Sequence, residues 1–382
     1  MASEQPTRPV TPPPEHVSDM FSLSSLATLR TFIPNDLLPD DLLVHDPDNI
    51  TNLCLDRSQP QPDAPVRYVR IFPNLKASGR GGGSQQSAFA SRSPDHPVRT
   101  AHLYLKADNT LGAGSHSTVY SAPLRLRLNA ESVEESTVRV AAKTACAECG
   151  AHWTLHQEAA IYNAFPRHLM DDQYPAGTIA KAASVKSDAA AQLETESGPQ
   201  TDAAATASEV ASTDVGEKRI TVPLPKPRPA VVPKFYGYYA AVDADGSVVE
   251  HSHSFLFCGP DDVCSVRWPT RILLMEECGK PIVPEHYTIA QRANCLKLVK
   301  RLHAAGFVQN SMYVRNVLVQ PGPLCAPPEE RSDATPSFRI IDFGRGEVFS
   351  HLPPGCEAYR KGQASCKEEE WKAKDRVLLG LS

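Results

Sequence analysis

No stretch of the sequence is apolar over the roughly 20 residues needed to cross a bilayer, so we expect no membrane partner. The first residues, Met1 to Pro6, contain no apolar segment of the kind found in a secretory signal, which predicts an intracellular protein of the cytoplasm or nucleus. Positive charge is not in excess either, because 39 Lys and Arg face 44 Asp and Glu, giving a net charge of −5. We therefore expect no nucleic-acid partner of the kind that binds a generally basic surface.

A second Cys-x-x-Cys pair is also absent. Cys146 and Cys149 have the spacing of a zinc or redox site, but a closed zinc site needs four ligands with matching spacing. The sequence therefore disfavours a zinc centre.

Apolar residues are scarce in three segments, and proline is abundant, at 34 of 382 residues or about 9% against a usual ~5%. Such segments bury too little apolar surface to offset their ordering entropy. These segments are 1–17, 76–98 and 171–230. We expect an N-terminal extension over 1–99, largely disordered, with segments within 20–75 that could dock on the folded unit. One domain over 100–382 is then interrupted by a disordered insertion at 171–230, which is tolerable because loop-closure entropy grows slowly with length.

A glycine turn opens the first group of motifs. Gly112 and Gly114 lie between two predicted strands, and Val119 follows in the second strand. Glycines in such a turn let backbone N–H groups approach phosphates without a side-chain clash. Alone, this pattern is a weak signal, because most Gly-x-Gly stretches are plain turns.

A lysine and a glutamate follow the glycine turn, one in a predicted strand and one in a predicted helix. Residues 137–144 alternate as a strand that includes Lys143, and His152 to Phe165 has the apolar spacing of a helix that contains Glu158. Each residue alone would be read as an exposed charge. With the glycine turn, they fit a phosphate-binding lysine that a glutamate orients.

The second group of motifs follows the insertion. A buried strand is predicted over 271–279, and a helix over Thr288 to Ala305 ends at Gly306, a good C-cap. A further strand ends in Asp342-Phe343-Gly344.

In this order the motifs resemble the eukaryotic-type protein kinase fold. More narrowly, they are similar to the divergent kinase-like proteins of basidiomycete fungi, over about 100–170 and 231–349. The resemblance implies an α+β, two-lobed fold, with a five-stranded antiparallel small lobe, a truncated helical large lobe and long disordered insertions. It also implies that the cofactors are ATP and Mg²⁺.

The resemblance assigns roles residue by residue. Lys143, held by Glu158, would pair with the α- and β-phosphates, while Asp342 and Asn316 would bind the metal. The glycines would cover the phosphates, Val119 would pack on the adenine, Met275 would be the gatekeeper, and the backbone would meet the adenine edge at two further residues. The nucleotide-contacting set is thus Gly112, Gly114, Val119, Lys143, Met275, Glu276 and Cys278.

The sequence departs from the family at the catalytic loop. Ser311 stands where the family has the aspartate that accepts the substrate proton, and Tyr313 stands where it has a lysine. Because serine is no base near neutral pH and tyrosine carries no positive charge, we expect a pseudokinase that binds nucleotide and acts through unidentified protein partners. Two catalytic alternatives stay open: an active phosphotransferase of the Ser/Thr protein kinase type, and a nucleotidyl transferase, each with a non-standard loop.

Overall fold

The computed structural model describes eleven ranges of the chain. Most of the three low-complexity segments lies outside them. The described residues are 20–24, 26–28, 38–52, 64–73, 98–127, 136–172, 228–249, 266, 268–324, 326 and 328–380.

The main feature of the fold is a closed, mixed β-barrel of seven strands. They are hydrogen-bonded in the order β3–β1–β2–β7–β8–β6–β5, and β5 pairs back to β3. The pair β1–β3 is parallel, and the other pairs in the barrel are antiparallel. The strands are β1 (Asp41–His45), β2 (Val66–Ile71), β3 (Thr100–Tyr104), β5 (Ser117–Leu126), β6 (Ser136–Ala145), β7 (Phe235–Ala241) and β8 (Ile272–Met275), and β4 (Thr110–Ala113) pairs with the outer part of β5.

Strand alternation separates the inside of the barrel from its outer face. A single apolar cluster, the barrel core, takes buried residues from all seven strands, for example Leu42, Tyr68, Leu103, Leu124, Val140, Tyr239 and Leu274. In β6, Val138, Val140 and Ala142 belong to the barrel core, whereas Ala141 and Ala145 belong to a second cluster. Successive side chains of a strand point to opposite faces, so Lys143 lies on the outer face.

Helices pack outside the barrel. Helix α1 (Cys149–Ala164) packs against β6 and β7, and the short α2 (Arg167–Met170) follows it. Helix α3 (Ile289–Ala304) starts with a capping box in which Thr288 and Gln291 satisfy each other's backbone N–H groups. Helix α4 (Glu357–Ala373) continues as a π-helical turn over Lys374–Leu378 and packs on α3. No helix within the described ranges is long and apolar enough to cross a membrane.

Short strands complete the fold. Strand β9 (Lys280–Pro281) pairs with β11 (Val317–Gly322), and β10 (Phe307–Val308) pairs with β13 (Glu347–Val348). Strand β12 (Ser332–Ile340) leads to Asp342.

Among the described residues, 321–324, 326 and 328–337 belong to a second unit. Among its described residues, Arg331 donates hydrogen bonds to the carbonyl groups of Leu324 and Ala326, and the Thr335 hydroxyl donates to the carbonyl of Gly322. These bonds hold the turn between β11 and β12.

The prediction of a two-lobed kinase fold is wrong. The structure has a closed, mixed seven-stranded barrel and, among the described residues, only four α-helices, in place of a five-stranded antiparallel lobe and a helical large lobe. The physical reason lies in the segment assigned to the N-terminal extension. It supplies β1 and β2, and the parallel pairing of β1 with β3 joins them to the later strands, so that the sheet closes on itself.

Candidate functional site

The site centres on Lys143, on the outer face of β6. Its Nζ lies 2.6 Å from Glu158 Oε2 and 3.0 Å from Asp342 Oδ1. Lys143 and Glu158 are 7% and 1% exposed, so the pair is shielded from water. Burial alone would lower the lysine pKa, but the two carboxylates outweigh it, and the net pKa of Lys143 is raised. Lys143 is therefore a fixed cation.

Glu158 holds two elements of the site together. Its Oε2 accepts from Lys143, and its Oε1 accepts from the backbone N–H of Phe343 at 3.3 Å. Burial raises the pKa of Glu158 and outweighs the attraction of Lys143. Phe343 is fully buried against the rings of Tyr162 and Phe165. The glutamate thus ties α1 to the segment that follows β12.

Asp342 occupies an unusual backbone conformation. Its φ of +66° lies in the left-handed region, which Asp tolerates better than most residues. Lys143 lowers the pKa of Asp342 most, with help from Arg315 and Arg345 against the opposing effect of burial. These positive charges favour the ionised carboxylate, which is the form that binds a metal ion.

Asn316 lies beside this carboxylate. Its Nδ2 donates to the Ser311 carbonyl at 2.8 Å and lies 3.4 Å from Asp342 Oδ2. One carboxylate and the amide oxygen of Asn316 suit Mg²⁺, which takes few protein ligands and retains several waters. No group of three or more His, Cys, Asp or Glu residues able to hold a metal occurs in the described part of the chain.

A cavity of about 180 Å³ opens at these groups. Six of the residues singled out in the sequence line it, namely Gly114, Lys143, Glu158, Ser311, Tyr313 and Asp342, whereas Gly112 and Asn316 do not. The cavity also touches side chains that sequence reasoning did not single out, namely His116, Thr154, Arg315 and Arg345. This is the volume in which a charged group would meet Lys143.

The residues predicted to hold the adenine do not line this cavity. Met275 pairs in β8 with Ala141, away from the cavity walls. The Glu276 carboxylate lies 3.4 Å from Arg339 Nε and 4.0 Å from Lys234 Nζ in a buried cluster. The Cys278 thiol donates a hydrogen bond to the Glu276 carbonyl at 3.3 Å. The backbone of both residues is the part predicted to meet the adenine edge.

The glycine turn is real, but its first glycine is not required by sterics. Gly112 pairs with Val119, and a Cβ added at Gly112 would meet no atom within 4 Å. Gly114 donates its N–H to the carbonyl of Ser117 at 2.8 Å. The two glycines keep the β4–β5 hairpin free of side chains at these positions. The turn end of this hairpin, at Gly114, borders the cavity.

The loop that contains Ser311 is held by buried groups that sequence reasoning missed. Gln309, fully buried, donates through Nε2 to the carbonyls of Ile341 and Asp342 and accepts from the Ser311 N–H. Glu369 Oε2, from α4, accepts from the N–H groups of Gln309 and Asn310 at 3.0 and 2.7 Å. Glu369 belongs to an acidic run, 368–370, which reads as a solvated face, so nothing in the sequence marks it.

The aromatic ring of Tyr313 contacts the guanidinium groups of two arginines. The guanidinium carbons of Arg315 and Arg376 lie 4.3 and 4.6 Å from its ring centroid, and Arg376 also donates to the carbonyl of Met312 at 2.9 Å. The Tyr313 ring is therefore an aromatic platform for positive charge.

No protein-family model matches this chain, and no curated protein matches it.

Proposed function

We propose that this protein binds ATP with Mg²⁺ at the cavity beside Lys143 and that it transfers phosphate weakly or not at all. One observation carries the proposal: Lys143 Nζ is held by Glu158 at 2.6 Å and Asp342 at 3.0 Å at the wall of a cavity. A buried lysine between two carboxylates beside an open volume is arranged to receive an anion while a metal ion shares the second carboxylate. The order of the kinase-like motifs favours a nucleotide over other phosphates.

Each residue has a defined task in this proposal. Lys143 contacts the phosphates nearest the nucleoside, and Glu158 fixes the lysine in that position. Asp342 and Asn316 hold the metal ion, which when bound offsets the negative charge of the phosphates. The N–H groups of the β4–β5 hairpin near Gly114 border the phosphates from the other side.

Weak or absent phosphoryl transfer follows from Ser311. Ser311 lines the cavity, and the carboxylates that line it, Glu158 and Asp342, both pair with Lys143. Loss of a general base costs roughly 10²–10⁴-fold in rate. We therefore propose that the protein works in the cytoplasm or nucleus as a nucleotide-responsive binding module for protein partners.

The test is thermal unfolding of the full chain with and without Mg-ATP, for the wild type and Asp342→Asn. A ligand at about 100 times its Kd adds about 2.7 kcal/mol of stability. We expect a clear rise in Tm for the wild type and almost none for the variant, because the amide removes the charge that holds the metal ion.

Asp108→Asn is the matched control. Asp108 is 82% exposed at its side chain, pairs with Lys106, and does not line the cavity, so its variant should retain the full shift. Absence of any shift for the wild type at millimolar Mg-ATP would overturn the proposal.

An active phosphotransferase is the second candidate. Arg315 and Arg345 favour it, because they restore positive charge to the cavity where Tyr313 replaced a lysine. The double variant Ser311→Asp, Tyr313→Lys separates the candidates by transfer of labelled phosphate. A gain of autophosphorylation supports the impaired form, and loss of an activity present in the wild type supports the active one.

A further inference from the structure

We propose that Arg315 and Arg345 form a clamp for the terminal phosphate, so that the site prefers a nucleoside triphosphate to the diphosphate. This inference rests on the proposed function and names the ligand state that the same site selects. Three cations and two carboxylates line the cavity, and the cations are Lys143, Arg315 and Arg345.

The two arginines differ from Lys143 in their partners. Lys143 is bound to two carboxylates, whereas neither guanidinium forms an ion pair or hydrogen bond with any residue in the described ranges. Both residues are exposed, so their charges already face the solvent at the cavity mouth. A phosphate group could therefore pair with both guanidinium groups without breaking an existing ion pair.

Arg315 is pre-positioned by its neighbours. Its guanidinium lies over the Tyr313 ring, and that ring is also covered by Arg376, whose own bond to the Met312 carbonyl fixes it to the loop. Asn316, the next residue, is buried and bonded to the Ser311 carbonyl. The side chain therefore leaves a rigid loop at a defined place.

Arg345 is positioned from the opposite side. Its carbonyl accepts from Asn310 Nδ2 at 3.2 Å, which ties its backbone to the residue that precedes Ser311. The preceding Gly344 has no room for a side chain, since an added Cβ would lie 2.4 Å from a Thr154 methyl group. The segment that presents Arg345 is thus packed closely against α1.

The order of charges along the cavity separates the phosphates. Lys143 Nζ lies 3.0 Å from Asp342 Oδ1, and Asp342 shares the cavity wall with both arginines. A diphosphate that shares the metal ion with Asp342 would pair with Lys143 and need no further cation. A third phosphate extends to the arginines, whose planar groups can each donate two parallel hydrogen bonds to phosphate oxygens.

The test compares the Kd of Mg-ADP with that of Mg-ATP by calorimetry on the full chain. The variants are Arg315→Gln, Arg345→Gln and both together. Arg360→Gln is the control, because Arg360 is an exposed residue of α4 that does not line the cavity. We expect wild type and control to bind ATP at least about tenfold more tightly than ADP, and the double variant to lose most of this ratio with little change in ADP binding.

The ADP measurement keeps the two proposals apart. If wild type binds ADP and ATP equally, or if the double variant weakens both alike, the clamp is wrong and the nucleotide site stands. If wild type binds neither, both proposals fail.

Inorganic phosphate with Mg²⁺ and no nucleotide is the last arm. Phosphate that binds alone as tightly as the terminal group of ATP, and that depends on Arg315, would assign the clamp to a separate phosphate ligand and overturn the preference for a triphosphate.

Discussion

The inside of the barrel and its outer face at β6–β8 are built from the same strands but bury different chemistry. The barrel core is built mainly from apolar side chains and tyrosine rings, and Arg70 and Thr144 are buried on the same strand faces as Tyr68 and Ala142. The outer face buries Lys143 and Glu158, and nearby Lys234, Glu276 and Arg339 form a second buried charged group. Adjacent residues of a single strand thus supply either packing or charge.

The difference shows which part of the molecule can bind a ligand. Burying a charge is costly unless it is paired and hydrogen-bonded, so such groups are retained where they serve a site or a specific structure. The barrel holds the strands in register, and the outer face uses that register to place Lys143 opposite α1. Stability and ligand binding should therefore respond separately to mutation.

Leu124→Ala in β5 should have the largest effect on stability. The side chain is 1% exposed within the barrel core, and its truncation should lower the free energy of unfolding by about 3 kcal/mol. The gain in Tm caused by Mg-ATP should persist, because no contact of the site is lost. Val283→Ala, at a residue 45% exposed, should change the stability by less than about 0.5 kcal/mol. A folded Leu124→Ala protein without nucleotide response would refute the separation.

Glu369→Gln should affect stability and binding together. One carboxylate oxygen accepts two backbone N–H groups of the loop, and the other lies 3.0 Å from His303 Nε2. The amide keeps only one acceptor oxygen, so we expect a loss of about 2 kcal/mol in urea unfolding and a smaller Tm shift with Mg-ATP.

Glu370→Gln serves as the matched control. Glu370 meets only the other nitrogen of His303 and is more exposed. An equal effect of both substitutions would show that the loop does not depend on Glu369.

The titration of one histidine with pH should alter the free energy of unfolding by less than Leu124→Ala or Glu369→Gln. Burial, and then the charge of Arg271, lowers the pKa of His152 to about 3. In the unfolded chain this histidine titrates near 6.5, so below that pH the unfolded state binds more protons and stability falls as pH decreases. His152 should contribute about 1 kcal/mol of this loss between pH 6.5 and 5.5, and His152→Gln should remove that part. Burial also lowers the pKa of His156 to about 3 and that of His45 to about 4, so the variant should retain their share of the dependence.

The exposed His351 provides the comparison, and His351→Gln should leave the dependence unchanged. His152 lies in α1, which packs outside the barrel, so this response belongs to the outer face. Identical pH profiles for wild type and His152→Gln would contradict the assignment.

Local patterns in the sequence predicted much of the site. The strand around Lys143 and the helix around Glu158 form as expected, at Ser136–Ala145 and Cys149–Ala164, and the structure brings both side chains to Asp342. These predictions succeed because strand alternation and helical spacing are local properties. The roles assigned to these residues in binding ATP and Mg²⁺ stay predictions.

The errors concern contacts between distant parts of the chain. Nothing local shows that β1 pairs in parallel with β3 or that β5 closes the sheet. Helix α4, which begins at Glu357, likewise leaves the large apolar residue Trp371 63% exposed. The helix instead buries Glu369, because its polar contacts to the loop outweigh the apolar pattern.

The closed barrel also sets the order in which the chain can fold during synthesis. Strand β2, at Val66–Ile71, has as its neighbours β1 and a strand that begins only at Phe235. The first two strands leave the ribosome with an open edge that cannot be covered until more than half of the protein has been made. Because unpaired strand edges invite association with other chains, the newborn protein should depend on chaperones most during that interval.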